Sequence, residues 1–235
     1  MRLATICARA GSKRLSGKNT RRLCGVRLFM LTIWQAIDSR CFDMIIVSTD
    51  DETIKLDVLD STRPVLLTKR PAELANDTAG KVPAIRHALL EAERITGQTF
   101  GYIVDLDVTA PLRTLDDIRG FCAKLDEIGI GGLVSVTPSR HSPYFNTVRV
   151  IDGRARLIEP SPPQILRGQD APPTYDLNAS MTGWSRGYLM RGTDHPVSWN
   201  THIYEMPPER SWDIDTILDF EIVEFLMSRQ KAQAA

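Results

Sequence analysis

Apolar residues fall early in the chain into short compact runs, separated by longer stretches of helical spacing. "LATIC" (3–7) is such a run ending at a glycine-bearing loop, the pattern of a buried parallel strand. "LFMLTIWQAI" (28–37) is long and apolar enough for a helix packed on a sheet. "MIIVST" (44–49) reads as a β-branched strand stopping at Asp50-Asp51, 51–59 as a short helix, and "PVLLT" (64–68) as a third strand. In "KVPAIRHALLEAERI" (81–95), Val82, Ile85, Leu89 and Ala92 share a helix face and Gly97 follows as a stop. A fourth strand at "FGYIVDL" (100–106) precedes a helix capped by Thr114 and running to about 127, with Asp116 and Asp117 in its first turn. "GGLVSVT" (131–137) supplies a fifth strand. This alternation predicts an α/β fold, a mainly parallel sheet flanked by helices.

The texture changes after residue 137. Residues 138–173 are rich in Pro, Arg and Ser, and "NTVRVIDGRARLIE" predicts a strand pair around an Asp152-Gly153 turn. "HIYEM" (202–206) is strand-like, and Thr216 can cap a last amphipathic helix carrying Leu218, Ile222 and Phe225. One domain over 1–235 is expected, with an inserted arm at about 140–205.

With 43% hydrophobic and 25% charged residues in 235, the chain can bury a proper core. Its formal net charge of zero provides no field to draw it onto nucleic acid or an anionic membrane, so any anion site must be local. Cys7, Cys24, Cys41 and Cys122 are scattered, without a CxxC pair or a Cys/His cluster at zinc spacing, as in a reduced cytoplasmic protein. The N-terminal apolar run is shorter than a signal-peptide core, and no run approaches the roughly 20 residues of a membrane span.

Local positive charge is found at "ARAGSKRLSGKN" (8–19), where Arg9, Lys13, Arg14 and Lys18 surround Gly11 and Gly17 without an acid. The loop follows the first strand, at the carboxyl ends of the strands where open α/β sheets bind ligands. Its cations and free amides match phosphate oxygens, although an exposed basic loop would look the same. The P-loop pattern fails, because five residues separate the glycines and Asn19 follows Lys18; GxGxxG is absent too. In "DID", Asp213 and Asp215 alternate on one side of an extended segment, where they either hold one divalent cation or cap the final helix. Asp105 and Asp107 of "VDLDVTAPLRT" fall at the end of strand four. Asp107 suits substrate hydroxyls, amide hydrogens or a metal, and Arg113 suits a carboxylate or a helix cap. His87, His141, His195 and His202 share no ligand spacing.

Taken in order, "ICARAGSKRLSGKN", "VSTDD", "RPAELANDTAG", "TAPLRT", "YDLNAS" and "DIDTILDFEI" resemble the CMP-sialic acid synthetase (acylneuraminate cytidylyltransferase) family, related to the KDO cytidylyltransferases. The resemblance implies a nucleotide-diphosphosugar-transferase-like fold, a homodimer with a dimerisation arm, and use of CTP with Mg²⁺ (or Mn²⁺). It implies that Arg9, Ser12, Lys13, Lys18 and Asn19 hold the triphosphate, with Arg70, Asp77 and Lys81 near the nucleotide. Asp213 and Asp215 would bind the metal, and Arg9 and Lys18 would join them in catalysis. Asp107, Arg113, Gln169, Tyr175, Asp176 and Asn178 would serve the sugar.

Where sialate enzymes carry Gln before "PTSPLR", Ser after "DTAS", Arg before "PNG" and then Gly, this chain has Asp107, Lys81, Asp176 and Ala179. "LDVTAPLR" with "YDLNAS" looks more like the bacterial CMP-legionaminic acid synthetases, whose sugars carry acetamido groups and a terminal methyl. The expected reaction is attack by the anomeric hydroxyl of a nine-carbon 2-keto acid on the α-phosphorus of CTP, releasing pyrophosphate. N-acetylneuraminate or KDO as the sugar, and a nucleotide-binding regulator without catalysis, are the alternatives.

Overall fold

The computed structural model describes residues 1–11, 15–60, 64–76, 78–159, 165–192 and 194–234. The chain opens with β1 (Arg2–Ala8), a 3-10 turn at Lys18–Thr20, the paired two-residue strands β2 (Arg22–Leu23) and β3 (Val26–Arg27), and α1 (Leu28–Ser39). It continues with β4 (Met44–Thr49), α2 (Glu52–Leu59), β5 (Leu66–Lys69), the single turn α3 (Ala72–Ala75), α4 (Lys81–Thr96), β6 (Tyr102–Leu106), α5 (Leu115–Ile128) and β7 (Gly132–Pro138). A hairpin, β8 (Val148–Ile151) and β9 (Arg154–Leu157), precedes β10 (Tyr175–Ser185), α6 (Arg186–Arg191), β11 (Thr201–Glu205) and α7 (Ile217–Ala234).

One seven-stranded sheet has the order β11-β7-β10-β6-β1-β4-β5. Neighbours run parallel except at β10, which lies antiparallel between β6 and β7. Alternate strand residues part to the two faces, as a pleat dictates. Ala4, Ile6 and Val104 pack against Phe29, Ile33, Phe121 and Val223 of α1, α5 and α7, whereas Leu3 and Ile103 pack against Val82, Ile85 and Leu89 of α4. The mainly parallel, helix-flanked sheet therefore agrees with the periodicity.

Within the expected arm of 140–205, β10 and β11 are integral strands of the sheet; between β7 and β10 the described residues 139–159 and 165–174 lie outside it. β10 is hidden from pattern reading by its polar and small inward positions. Asn178 and Ser180 are buried, a register shift interrupts pairing between Leu177 and Thr182, and Gly183 leaves room for α5. A Cβ at Gly183 would stand 2.8 Å from the Phe121 ring and 2.9 Å from Leu125. The β8–β9 turn does fall at Asp152 and Gly153, with φ of 50° and 73°, the left-handed pair of a tight hairpin.

Two ties hold the segment before α7 against the sheet. Thr114 and Asp117 form a reciprocal cap on α5, and Asp117 also accepts two bonds from Arg210, both 2.9 Å. The Ile214 amide donates to the Thr109 carbonyl at 2.9 Å.

Candidate active site

The carboxyl ends of β1, β5 and β6 open on a cleft of about 500 Å³. Arg9, Lys18, Asn19 and Arg70 line it, and so do Lys81, Asp107, Asp213 and Asp215. Of the remaining residues assigned to the nucleotide, Ser12, Lys13 and Asp77 lie outside the described residues.

The basic loop is held at its start. Asn19 Nδ2 donates to the Arg9 carbonyl at 3.0 Å, and the Ala10 amide donates to Asp50 Oδ1 at 2.9 Å. Gly17, at φ 61°, supplies the left-handed turn that leads into Lys18. Lys18 Nζ then reaches the far end of the chain, donating to the Ile214 carbonyl at 2.7 Å and to Asp215 Oδ1 at 3.2 Å. Ile214 is fully buried, so its neighbours Asp213 and Asp215 turn the other way, into the cleft.

Burial pushes the Asp213 carboxyl above the ordinary carboxylate range, opposed by a bond from Thr109 and reinforced by the charges of Asp107 and Asp215. Its Oδ1 is buried without a hydrogen-bond partner. Arg70 is 6% exposed and donates to the Ser48 carbonyl at 3.1 Å, while its Nε has no partner. Both atoms are buried polar groups at the cleft with unused bonding capacity.

Lys81, the first residue of α4, sits between two carboxylates. Its Nζ lies 2.6 Å from Asp105 Oδ2 and also pairs with Asp107 Oδ2. Asp105, 2% exposed, accepts a further bond from Thr5 Oγ1 at 2.7 Å. Asp107 Oδ1 accepts from the Thr109 amide at 3.1 Å and hydroxyl at 2.9 Å. Burial raises the Asp107 pKa, but Lys81 and Thr109 outweigh it and draw the carboxyl down to about 2. Burial likewise disfavours the Lys81 charge, and the two carboxylates overcome it, raising its pKa. Cys7 belongs to the cleft wall, its thiol pushed up to about 12 by burial and by Asp105, and so is a small apolar surface and not a nucleophile.

Several residues expected to face the sugar do not line this cleft. Arg113 is 2% exposed and donates to the carbonyls of Asp107 and Ser180 and to Thr32 Oγ1, at 2.8, 3.0 and 2.9 Å. It props the loop after β6 from beneath. Asn178 is also buried; its Oδ1 accepts from Ser135 at 2.6 Å and its Nδ2 donates to Ser211 at 2.9 Å, so its amide is fixed inside the protein. Gln169 stands exposed on the arm, outside the cleft, and Tyr175 borders a separate hollow at the arm's base. Asp176 accepts a bond from Ser139 Oγ at 2.6 Å and does not line the cleft. Asp105 does not line the cleft but holds Lys81 from within β6. Thr109, which lines the cleft and bonds Asp107, was not among the expected site residues; the closely spaced "DLDVT" acids were the available signal.

A family model described as Cytidylyltransferase matches residues 3–126. Post-translational flagellin modification protein B of Campylobacter coli is 37% identical over 236 residues, spanning 99% of this chain and 97% of that protein. A CMP-N,N'-diacetyllegionaminic acid synthase of Campylobacter jejuni is 37% identical over 226 residues, or 96% and 94% of the two chains. Its namesake from Legionella pneumophila is 32% identical over 234 residues, 96% and 95%. Among solved structures, a CMP:2-keto-3-deoxy-manno-octonic acid synthetase complexed with CTP superposes with a TM-score of 0.69 over 97% of this chain and 99% of that one; at 18% identity it is a likeness of fold. The chain belongs to the cytidylyltransferase family.

Proposed function

We propose that this protein transfers the cytidylyl group of CTP to the anomeric 2-hydroxyl of a nine-carbon nonulosonic acid, most readily one of the legionaminic type. The observation that carries the reading is the convergence of Arg9, Lys18, Arg70 and Lys81 with Asp213 and Asp215 in one cleft at the strand ends. Similarity to two proteins named CMP-N,N'-diacetyllegionaminic acid synthase supports the sugar class.

The hydroxyl oxygen bonds to the α-phosphorus, the bond from that phosphorus to the bridging oxygen breaks, and pyrophosphate leaves while the hydroxyl proton is lost. Such transfers depend on positioning and charge, with little covalent work for the protein. Lys18, fixed by Ile214 and Asp215, would offset phosphate charge, and the unused Nε–H of Arg70 would donate to the nucleotide. None of the four histidines lines the cleft.

Asp213 and Asp215 fit Mg²⁺. The orphaned Oδ1 of Asp213 is a ready oxygen ligand, and among the described residues no group of three or more His, Cys, Asp or Glu side chains forms a closed protein cage. A carboxylate pair completed by water and phosphate oxygens suits this ion. When bound, it would offset phosphate charge and lower the pKa of a coordinated hydroxyl.

The reading includes a homodimer. The β8–β9 hairpin is exposed along both strands, with Val150 72% and Leu166 of the same arm 75% exposed, and an isolated two-stranded hairpin is marginal in water. A second copy would bury these side chains. It also includes the cytoplasm as the working compartment, since all four cysteines remain thiols and no helix of the described residues is long and apolar enough to cross a membrane.

Phosphorus NMR of the enzyme with CTP, Mg²⁺ and di-N-acetyllegionaminate tests the reaction. A new phosphodiester resonance rising with pyrophosphate is expected, and conversion of CTP to CDP and phosphate would contradict it.

A further inference from the structure

The two carboxylates assigned to the metal stand on a stretch without regular structure. Between the 3-10 turn Pro208–Arg210 and α7, residues 211–216 belong to neither helix nor strand, so no ladder of backbone bonds sets where Asp213 and Asp215 point. A few specific bonds do so instead. Two are made by the backbone of Ile214, whose amide donates to the Thr109 carbonyl at 2.9 Å and whose carbonyl accepts from Lys18 at 2.7 Å. Nearer the turn, Ser211 Oγ donates to the Pro207 carbonyl and accepts from Asn178 Nδ2, both at 2.9 Å.

The remaining tie is ionic. Arg210 Nε and Nη2 donate to the two carboxylate oxygens of Asp117 at 2.9 Å each, a parallel fork that fixes orientation as well as distance. Asp117 is 4% exposed and is itself held by the Thr114 amide and hydroxyl, both at 2.8 Å, in the reciprocal cap of α5. Burial works against the Asp117 charge, and the bonds from Arg210 and Thr114 outweigh it, holding the carboxyl below the ordinary range. Arg210 is thus fastened to a helix end, three positions before Asp213, and neither partner of the fork lines the cleft.

We propose that Asp117 and Arg210 are positioning residues for the metal site: through their fork, the start of α5 sets the place of Asp213 and Asp215 and thereby the affinity for the divalent ion. The inference rests on the reading of Asp213 and Asp215 as the metal pair. A fork that only stabilised the fold would raise the thermal midpoint and leave the ion's affinity alone. A fork that positions the ligands changes the affinity, because carboxylates out of place bind their ion less well.

Mn²⁺ binding in the presence of CTP, read from the electron paramagnetic resonance signal of the free ion, measures this without turnover. Arg210→Gln should weaken Mn²⁺ binding on the order of 10-fold, the usual loss when a residue supporting metal ligands is removed. Arg210→Lys, which keeps the charge and forfeits the fork, should weaken it less, and it decides the matter if Arg210→Gln does not fold. Arg186→Gln is the control for stability, since Arg186 makes an equivalent fork to Glu93 of α4, both contacts 2.8 Å, and neither residue lines the cleft. This control should lower the thermal midpoint without moving the Mn²⁺ affinity. In turnover, Arg210→Gln should raise the Mg²⁺ concentration for half-maximal pyrophosphate release by a larger factor than it lowers the rate at saturating Mg²⁺. An unchanged Mn²⁺ affinity in the folded Arg210 variants, or an equal loss in Arg186→Gln, would overturn the positioning role and leave the metal pair standing. A wild type that takes up no Mn²⁺ beyond what CTP alone binds would sink the metal pair and this inference with it.

Discussion

Lys18 Nζ lies 3.2 Å from Asp215 Oδ1, so the basic loop after the first strand is tied directly to the acidic segment before the last helix. In the proposed reaction the pair joins the cation assigned to the phosphates to a carboxylate assigned to the metal, so altering one disturbs the other. We expect Lys18→Ala and Asp215→Ala each to lower kcat on the order of 10²–10³. The double variant should lose much less than the product of the two, because the groups act as a unit. Pyrophosphate release, with circular dichroism as a check on folding, measures this; simple multiplication of the two losses would show that the pair is not coupled.

Asp213 should matter through the ion. With its buried Oδ1 lacking any protein partner, Asp213→Asn ought to retain folding while losing the response to metal. In the wild type, CTP should raise the thermal midpoint more with Mg²⁺ than with EDTA. In Asp213→Asn the two should nearly coincide. A variant that kept the full Mg²⁺-dependent shift would remove Asp213 from the metal site.

Lys81 should be a stability residue as well as a ligand-facing one. Lys81→Met would leave Asp105, 2% exposed, and Asp107 facing each other without the ammonium that bridges them, with only the more distant Arg113 guanidinium to offset their charge. The expected cost is on the order of 2–3 kcal/mol, below that of breaking a wholly buried pair because the Lys81 side chain is 40% exposed. Adding Asp107→Asn should recover part of it. Urea unfolding of the three variants decides the matter, and an unchanged midpoint in Lys81→Met would refute the structural role.

The same triad gives a pH dependence. The Asp107 pKa is depressed from the ordinary carboxylate value to about 2 when folded, so the unfolded chain binds the proton more readily. Its stabilising contribution is complete above about pH 4 and is lost as the pH falls through about 2. Urea midpoints at pH 6 and pH 3 should therefore differ less in Asp107→Asn than in the wild type. A larger difference in the variant would reverse the sign and contradict the pairing.

The proposed dimerisation through the arm would make Val150 a sensitive position, exposed as it is on the hairpin. Val150→Asp should shift sedimentation from dimer toward monomer at micromolar concentration. If the wild type sediments as a monomer, or if the variant remains a dimer, the arm is not the interface.

The longer strands and helices up to Pro138 were legible because their burial is periodic: parallel strands covered on both faces read as apolar runs, and Thr114, like Thr216 further on, announced its helix; the two-residue strands β2 and β3 and the single turn α3 are too short to carry a period. β10 was not legible, since its inward residues are polar or small and are satisfied by partners such as Ser135 that no local pattern reveals. The same limit applied to the site. Arg9, Lys18, Asp213 and Asp215 stood out as charge on loops, and all four line the cleft. The burial of Arg113 and Asn178 depends on carbonyls and hydroxyls from distant elements, and the joining of Lys81 to Asp105 of β6 and to Asp107 just after it spans 24 and 26 positions of sequence. Such contacts exist only once the sheet has brought β6, β10 and α4 together.

The most direct measurement is the initial rate of pyrophosphate release from CTP and Mg²⁺ with di-N-acetyllegionaminate, N-acetylneuraminate and KDO offered separately. We expect release with the legionaminic acid at a rate well above the other two. Release favouring N-acetylneuraminate or KDO would contradict the sugar, and silence with all three would contradict cytidylyl transfer to these acids.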